Sequence, residues 1–442
     1  MPRAPLLAPL LVLLPVLVPR YARALTYDGP ARAEAFDVTR FGATGDGRTD
    51  DTKAIQDAAD AAANARGGGL VVLLGGGRRF RVAPITLRSH VTLYVADGAA
   101  LLATPDMKRY DLVAPLPSYG TGRDHPGPRH ASLLSASDAS DVVVTGGGTG
   151  ATIDGAGQVW WDAHRRKQER YTRGHLLEFL NVTDVVVSFL TLQNSPFWTV
   201  HPFNCTNVVT RQLRIRNPLD SPNTDGVDPD SSQNVLIEDV DIRTGDDGVA
   251  IKSGWDCFGV LFGVPSRNIT VRNMTVESPT SAGVCIGSEM SGGVSDVVVE
   301  NVTATNVGSA LRIKAAAPRG AYVTRVSYRG VTVRDAAVAV LIDDFYGSTN
   351  PACPPDYRPP HPPEVSDVSI RDVSGTYTIR AGQLNGLPGA GALRSLSLSD
   401  VHLRGLLPNA SGWVCNDYVS GAAIDVEPLA CASLRPPRWA LV

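Results

Sequence analysis

Between Asn223 and Ala315 one short frame returns four times, and this recurrence restricts the fold more than any other feature of the chain. The pieces read NTDGVD (Asn223 to Asp228), TGDDGVAIKSG (Thr244 to Gly254), SAGVCIGSEMSGG (Ser281 to Gly293) and SALRIKA (Ser309 to Ala315). An isoleucine ends the apolar run in three of them, at Ile251, Ile286 and Ile313, and Pro229 takes that place in the first. Four residues upstream stand Asp225, Asp247, Ala282 and Ser309, and one residue downstream stand Asp230, Lys252, Gly287 and Lys314. A chain that comes back to the same place on every turn reuses a frame in this way.

The segments before each piece agree. Runs of alternating β-branched residues open at Asp184, Asn207, Asn234, Asn268 and Asp296, roughly 23 to 34 residues apart, in the range of repeat architectures. Val, Ile and Thr alternate, and Asn, Asp, Ser and Gly sit at the joints, which predicts short strands and tight turns. No long helical periodicity is present. The expected fold is all-β, a right-handed parallel β-helix in which neighbouring rungs complete each other's buried face.

That geometry gives the acids a meaning. Rungs lie about 4.8 Å apart, so equivalent positions stack. Asp225 is then one rung from Asp246 and Asp247, with Arg312 and Lys314 further along the same face. Like charges this close raise at least one pKa, which leaves a proton donor beside a base. Glycoside hydrolysis needs that pair of carboxyl groups, and the basic pair suits a sugar bearing a carboxylate. Lys252 occupies the position of Lys314 two pieces earlier and is a further candidate for substrate contact. Trp198 and His201, in NSPFWTVHPFNC, are candidates for the cleft floor, where a sugar face could stack on the indole.

The motifs NTDGVD, GDDGVAIKSG, GSEMSGG and RIK closely resemble those of the polygalacturonases, glycoside hydrolase family 28, from about Phe36 to the Asp400 region. The resemblance implies the pectin-lyase-like β-helix and inverting hydrolysis of pectic α-1,4-galacturonosyl linkages without a metal or other cofactor. It also implies Asp246 as general acid, Asp225 with Asp247 activating water, and Arg312 with Lys314 holding a uronate. A carboxyl separation of roughly 6.5 to 9.5 Å is expected for inversion. One family element differs: Ser281-Ala282-Gly283 stands where endo-acting members carry Gly-His-Gly. Ala282 is expected to leave room in the floor, and it keeps open an alternative reading as an inactive or altered-specificity binder of pectin or another wall polysaccharide.

The rest of the chain frames this site. Arg3, the apolar run Leu6 to Val18 and Ala22-Arg23-Ala24 predict a signal peptide over residues 1–24, and the run is too short to span a bilayer. The expected product is a secreted, extracellular or cell-wall monomer with one β-helix domain over 25–442 and no membrane attachment after cleavage. A net charge of −3 and a pI of about 6.2 exclude a strongly basic nucleic-acid binder. Cys415 and Cys431 are the expected disulfide. Cys205, Cys257 and Cys285 belong to the repeats, Cys285 reading equally as a buried thiol, and Cys353 lies in a proline-rich loop over 351–363. No CxxC pair suggests zinc, and the acids Asp46, Asp50 and Asp51 lack EF-hand spacing, so no metal is expected.

Six Asn-x-Ser/Thr sequons, at Asn181, Asn204, Asn268, Asn273, Asn301 and Asn409, are candidate glycosylation sites, although asparagine also belongs at β-helix turns. A helix from about Thr52 to Arg66, capped by Asp50 or Asp51, should cover the open end of the solenoid. Ser118 to His130 is a polar, aperiodic loop. The basic run from Arg165 to Arg173 reads as a solvated helix face or as a wall steering polyuronate. The part from 401 to 442 shows weaker repeats.

Overall fold

The computed structural model describes residues 27–347 and 349–434, so the expected signal peptide lies outside the described residues. The rungs form as the repeat predicts. Thr183–Gln193, Thr206–Arg216, Gln233–Arg243, Ser266–Ile286, Val294–Lys314, Tyr322–Asp343 and Glu364–Asn385 pair in parallel, each with the next. The result is a right-handed parallel β-helix, with a second stack of Ile85–Leu87, Leu134–Ser137, Leu177–Leu180 and Val200–Phe203.

The alternation seen in sequence separates inside from outside. Val185, Val208, Val235, Ile269, Val297, Val326, Val368 and Leu396 are partners in turn and all are buried. Each such side chain removed from water contributes about 1.5–3 kcal/mol, and the stacking shares that burial between rungs.

The rungs turn at corners held by residues with positive φ. Asp184, Asn207, Asn234, Asn268 and Asp296 occupy one corner with φ of 55 to 62°, the left-handed region that Asn and Asp tolerate best. Their side chains bond along the stack: Asn207 Nδ2 donates to Asp184 at 2.8 Å, Asn234 to Asn207 at 3.1 Å, and Asn268 to Asn234 at 2.8 Å. Five sequon asparagines serve such ladders, because Asn181, Asn204, Asn273 and Asn301 also donate to the residue one rung below. Asn409 alone among the six lies on an exposed turn with no ladder bond among the described residues.

Helix α1 (Thr52–Asn64) covers the N-terminal end and buries Ile55, Ala58, Ala59 and Ala62. Asp51 stands at its N-cap position, but its carboxylate accepts instead from Thr44 N and Gly45 N, so Asp50, bonded to Thr52 N, does the nearer capping work. The C-terminal part is more regular than its sequence suggests: Ser411–Cys415 and Val419–Glu427 continue the parallel pairing. Cys415 and Cys431 form the expected disulfide. A second joins Cys257 to Cys353 across 96 residues, a pairing that sequence proximity could not suggest, and Cys205 and Cys285 are buried free thiols. No helix among the described residues is long and apolar enough to cross a membrane.

Candidate active site

Val200, Val227, Val249 and Val284 are successive rung partners. Two residues upstream of each stand Trp198, Asp225, Asp247 and Ala282, and Ala282 pairs with Ser309. The acids of NTDGVD and GDDGVAIK therefore do stack on neighbouring rungs. One carboxylate oxygen from each of Asp225, Asp246 and Asp247 lies within 4.8 Å of the others. These nearest oxygens stand closer than the expected separation of roughly 6.5–9.5 Å, because the acid Asp246 is the chain neighbour of Asp247 and Asp225 is only one rung away.

The three acids are held differently. Asp247 is buried, and its carboxylate takes Lys314 Nζ at 2.6 Å, the Ala282 amide at 2.9 Å and the Ser281 hydroxyl. Burial works against its charge, but Lys314, then Lys252 and the hydrogen bonds win and bring its pKa down to about 2. Asp225 is buried with its nearest cation, Lys252 Nζ, at 3.5 Å. Burial, then the Asp246 charge, pushes Asp225 up to about 7. Asp246 remains partly exposed, with Asn223 Nδ2 at 3.4 Å, and burial followed by the Asp247 charge raises its pKa too. One ionised acid thus stands beside two that hold their protons more tightly, which is the polarity acid–base chemistry needs.

The cations divide as well. Lys314 is buried on Asp247. Arg312 is partly exposed, lies under the Tyr346 ring at 4.8 Å, and has no carboxylate partner among the described residues. Lys314 meets the same ring at 5.2 Å, so the two do share a face.

Three expected contacts need correction. Lys252 is buried among Asp225, Asp228 and Glu289 at 3.4–3.5 Å and over Trp198 at 4.3 Å, so it neutralises acids beneath the site. Trp198 is 3% exposed and clustered with His175 at 5.2 Å and Phe197 at 5.0 Å, so it offers no open ring face to a sugar. His201 is fully buried between Asp230 at 3.4 Å and Glu178 at 3.5 Å. Ala282 opens no room either, being wholly buried with Ala250 and Cys285.

Sequence reasoning missed three participants. Asp228, in the same NTDGVD piece, is buried 3.4 Å from Lys252 with neither oxygen hydrogen-bonded, and burial followed by Asp225 raises its pKa well above the usual range. Its position three residues after Asp225 was the available signal. Glu289 and Arg123 form a 2.8 Å ion pair at the site's edge, and nothing local marked Arg123.

Three groups among the described residues have the donors to hold a cation: His175, Glu178 and His201; Asp124, His164 and Glu169; and the three site aspartates. Arg129, at 2.8 Å, already balances Glu178, and Lys314 and Lys252 stand where a cation among the aspartates would be needed.

The comparisons agree with this arrangement. The family model described as Glycosyl hydrolases family 28 matches residues 123–424, and one described as Rhamnogalacturonase A/epimerase, pectate lyase-like matches residues 35–100. A probable polygalacturonase of Vitis vinifera is 37% identical over 420 residues, covering 94% of this chain and 84% of the relative. An exopolygalacturonase of Thermotoga maritima superposes with a TM-score of 0.75 at 28% identity, covering 91% of this chain and 93% of that one. The polygalacturonase of Erwinia carotovora gives 0.69 at 25% identity, over 84% and 94%. With the stacked acids of NTDGVD and GDDGVAIK in place and the match spanning most of its length, the chain belongs to the glycosyl hydrolases of family 28.

Proposed function

We propose that this glycoside hydrolase cleaves α-1,4-galacturonosyl linkages of pectic polysaccharide by a single displacement with inversion, and that it does so as a secreted protein in the cell wall. The observation that carries the reading is the division among the acids. Asp246 is the most accessible of the three, has no ion-pair partner among the described residues, and has a pKa raised by burial and then by the Asp247 charge. It would protonate the leaving oxygen. Asp247, kept ionised by Lys314, would take a proton from water, with Asp225 orienting that water. Arg312, partly exposed and without an acid partner among the described residues, supports recognition of a uronate carboxylate by a bidentate pair. Lys314 supports it less directly, since its ammonium is already engaged by Asp247.

The short spacing of the acids would by itself suit a retaining enzyme, so stereochemistry is the sharpest test. Defined galacturonan oligomers are incubated with the protein, and NMR of fresh product reads the anomer. Inverted product that disappears in Asp246→Asn is expected. Retained configuration would overturn the assignment of Asp247 as base, and release of no sugar from any pectic oligomer would favour the binder reading.

A further inference from the structure

The cleft has two ends, and they differ. On one side of the acids the column continues through Ala282 and Ser309 toward Arg312 and Tyr346. On the other side the next position is Trp198, and a segment of chain crosses above it. We propose that this strap, Ser118 to Gly127, closes the cleft beside Asp225, so that the site takes the end of a uronide chain and not its interior. The proposal rests on the hydrolase reading above and adds where on the polymer the enzyme acts.

The strap is fastened to both banks. On the bank that follows the rung strands, Trp255 N donates to Ser118 O at 2.9 Å. Gly120 lies so close to the short helix Asp256–Phe262 that a Cβ there would meet the Phe258 ring at 2.3 Å. Arg123 pairs with Glu289 at 2.8 Å and lies over Trp255 at 5.1 Å, and Asn350 Nδ2, one residue before the proline-rich loop, donates to Tyr119 O at 3.3 Å. On the bank that precedes the strands, the amides of Asp124 and His125 donate to Thr172 Oγ1 at 3.1 and 3.2 Å. Asp124 accepts from Arg173 at 3.2 Å, and His125 faces Glu169 at 3.3 Å. Arg173 also donates to Asn223 at 2.7 Å, and Asn223 is the residue that contacts Asp246.

The space under the strap is almost filled. The cavity bounded by Gly122, Arg123, Thr172, His175, Phe197 and Trp198 amounts to about 20 Å³. That is room for a single water and not for a sugar ring. Trp198 is one rung step, about 4.8 Å, from Asp225. A polysaccharide lying over the acids can therefore continue toward Arg312 but not past Trp198. A chain end seated against the strap beside the acids predicts release of single uronides. The plainer alternative is that the strap only covers the aromatic cluster of Tyr119, Phe197 and Trp198.

Two measurements decide between them. The first follows product size and viscosity during early hydrolysis of long de-esterified polygalacturonate. Single uronides as the sole early product, with slow loss of viscosity, are expected; a ladder of oligomers with rapid thinning would overturn the proposal. The second uses the Asp246→Asn protein and oligogalacturonides carrying a bulky fluorophore at one end or the other. A label at one end should weaken binding about tenfold or more, and a label at the other end should leave it unchanged. Equal affinity for both labelled forms and the unlabelled oligomer would overturn it. If no pectic substrate is hydrolysed, the reading under Proposed function fails on its own, and the binding measurement still decides whether the cleft is closed. Loosening the strap with Arg123→Ala and Asp124→Ala should bring oligomers into the products. Unchanged release of single uronides by that variant would assign end selection elsewhere.

Discussion

Two columns of the same solenoid respond oppositely to the same stacking. At the corner running through Asn207, Asn234 and Asn268, each amide donates to the residue below, and those of Asn207 and Asn234 also accept from above. At the site, Asp225 and Asp247 occupy equally stacked positions but present carboxylates, which can only accept. The first column lowers its free energy with every repeat. The second raises it, and buried lysines offset the repulsion. Stacking amplifies whatever chemistry is repeated: neutral donor–acceptor groups become structure, and like charges become a poised site.

The comparison can be broken most forcefully at the poised end. Asp246→Asn should lower turnover by about 10²–10⁴-fold while the melting temperature stays nearly unchanged, because Asp246 is the least buried of the acids. Steady-state kinetics alongside calorimetry would show this. Lys314→Met leaves Asp247 buried and uncompensated, at a cost of about 3–5 kcal/mol in urea unfolding. Replacing both partners, as Asp247→Leu with Lys314→Met, should recover much of that loss. If the double variant is no more stable than the single one, the pair does more than balance charge.

The sign of the repulsion can be read from pH. Asp225 has a folded pKa pushed up to about 7, above its ordinary value, so folding favours its protonated form. Below the unfolded pKa both states are protonated and nothing is lost. As pH rises from there toward about 7 the unfolded carboxyl ionises while the folded one keeps its proton, and stability falls progressively. Asp225→Asn should therefore raise the melting temperature at pH 7.5 and change it little at pH 4. The opposite trend would show that Lys252 needs this carboxylate more than the site resists it. The smallest effect belongs to the corner. Asn234→Ala places an ordinary residue at φ 56° and removes two ladder bonds, so about 1–2 kcal/mol should be lost, with activity intact.

What the sequence made legible was whatever repeats. The isoleucine frame placed Asp225, Asp247, Ala282 and Ser309 in one column because β-branched alternation and corner asparagines recur with each rung. Contacts made once by non-repeating loops left no such mark. The strap around Arg123, the Cys257–Cys353 bridge and the pairing of Arg173 with Asp124 join residues far apart in sequence and have no periodicity to reveal them. Depth was also hard to read. Trp198 and His201 lie in the right stretch, but only the loops above them decide that they are covered. The same holds for Lys252, whose three acid neighbours come from Asp225, Asp228 and a later rung at Glu289. In the basic run, Arg173 proves to be a buried tie while Arg165, Arg166, Lys167 and Arg170 stay exposed.

Helix α1 deserves a last consequence. A parallel β-helix ends in a rung whose backbone N–H and C=O groups point along the axis, ready to template another strand. By lying across that end and burying Ile55, Ala58, Ala59 and Ala62, the helix terminates a lattice that would otherwise have no natural stopping point. Its removal would do more than shorten the protein. The edge strand Ile85–Leu87, whose Thr86 N–H and C=O are met by the Gln56 side chain of the helix, would be left open to pairing with another chain.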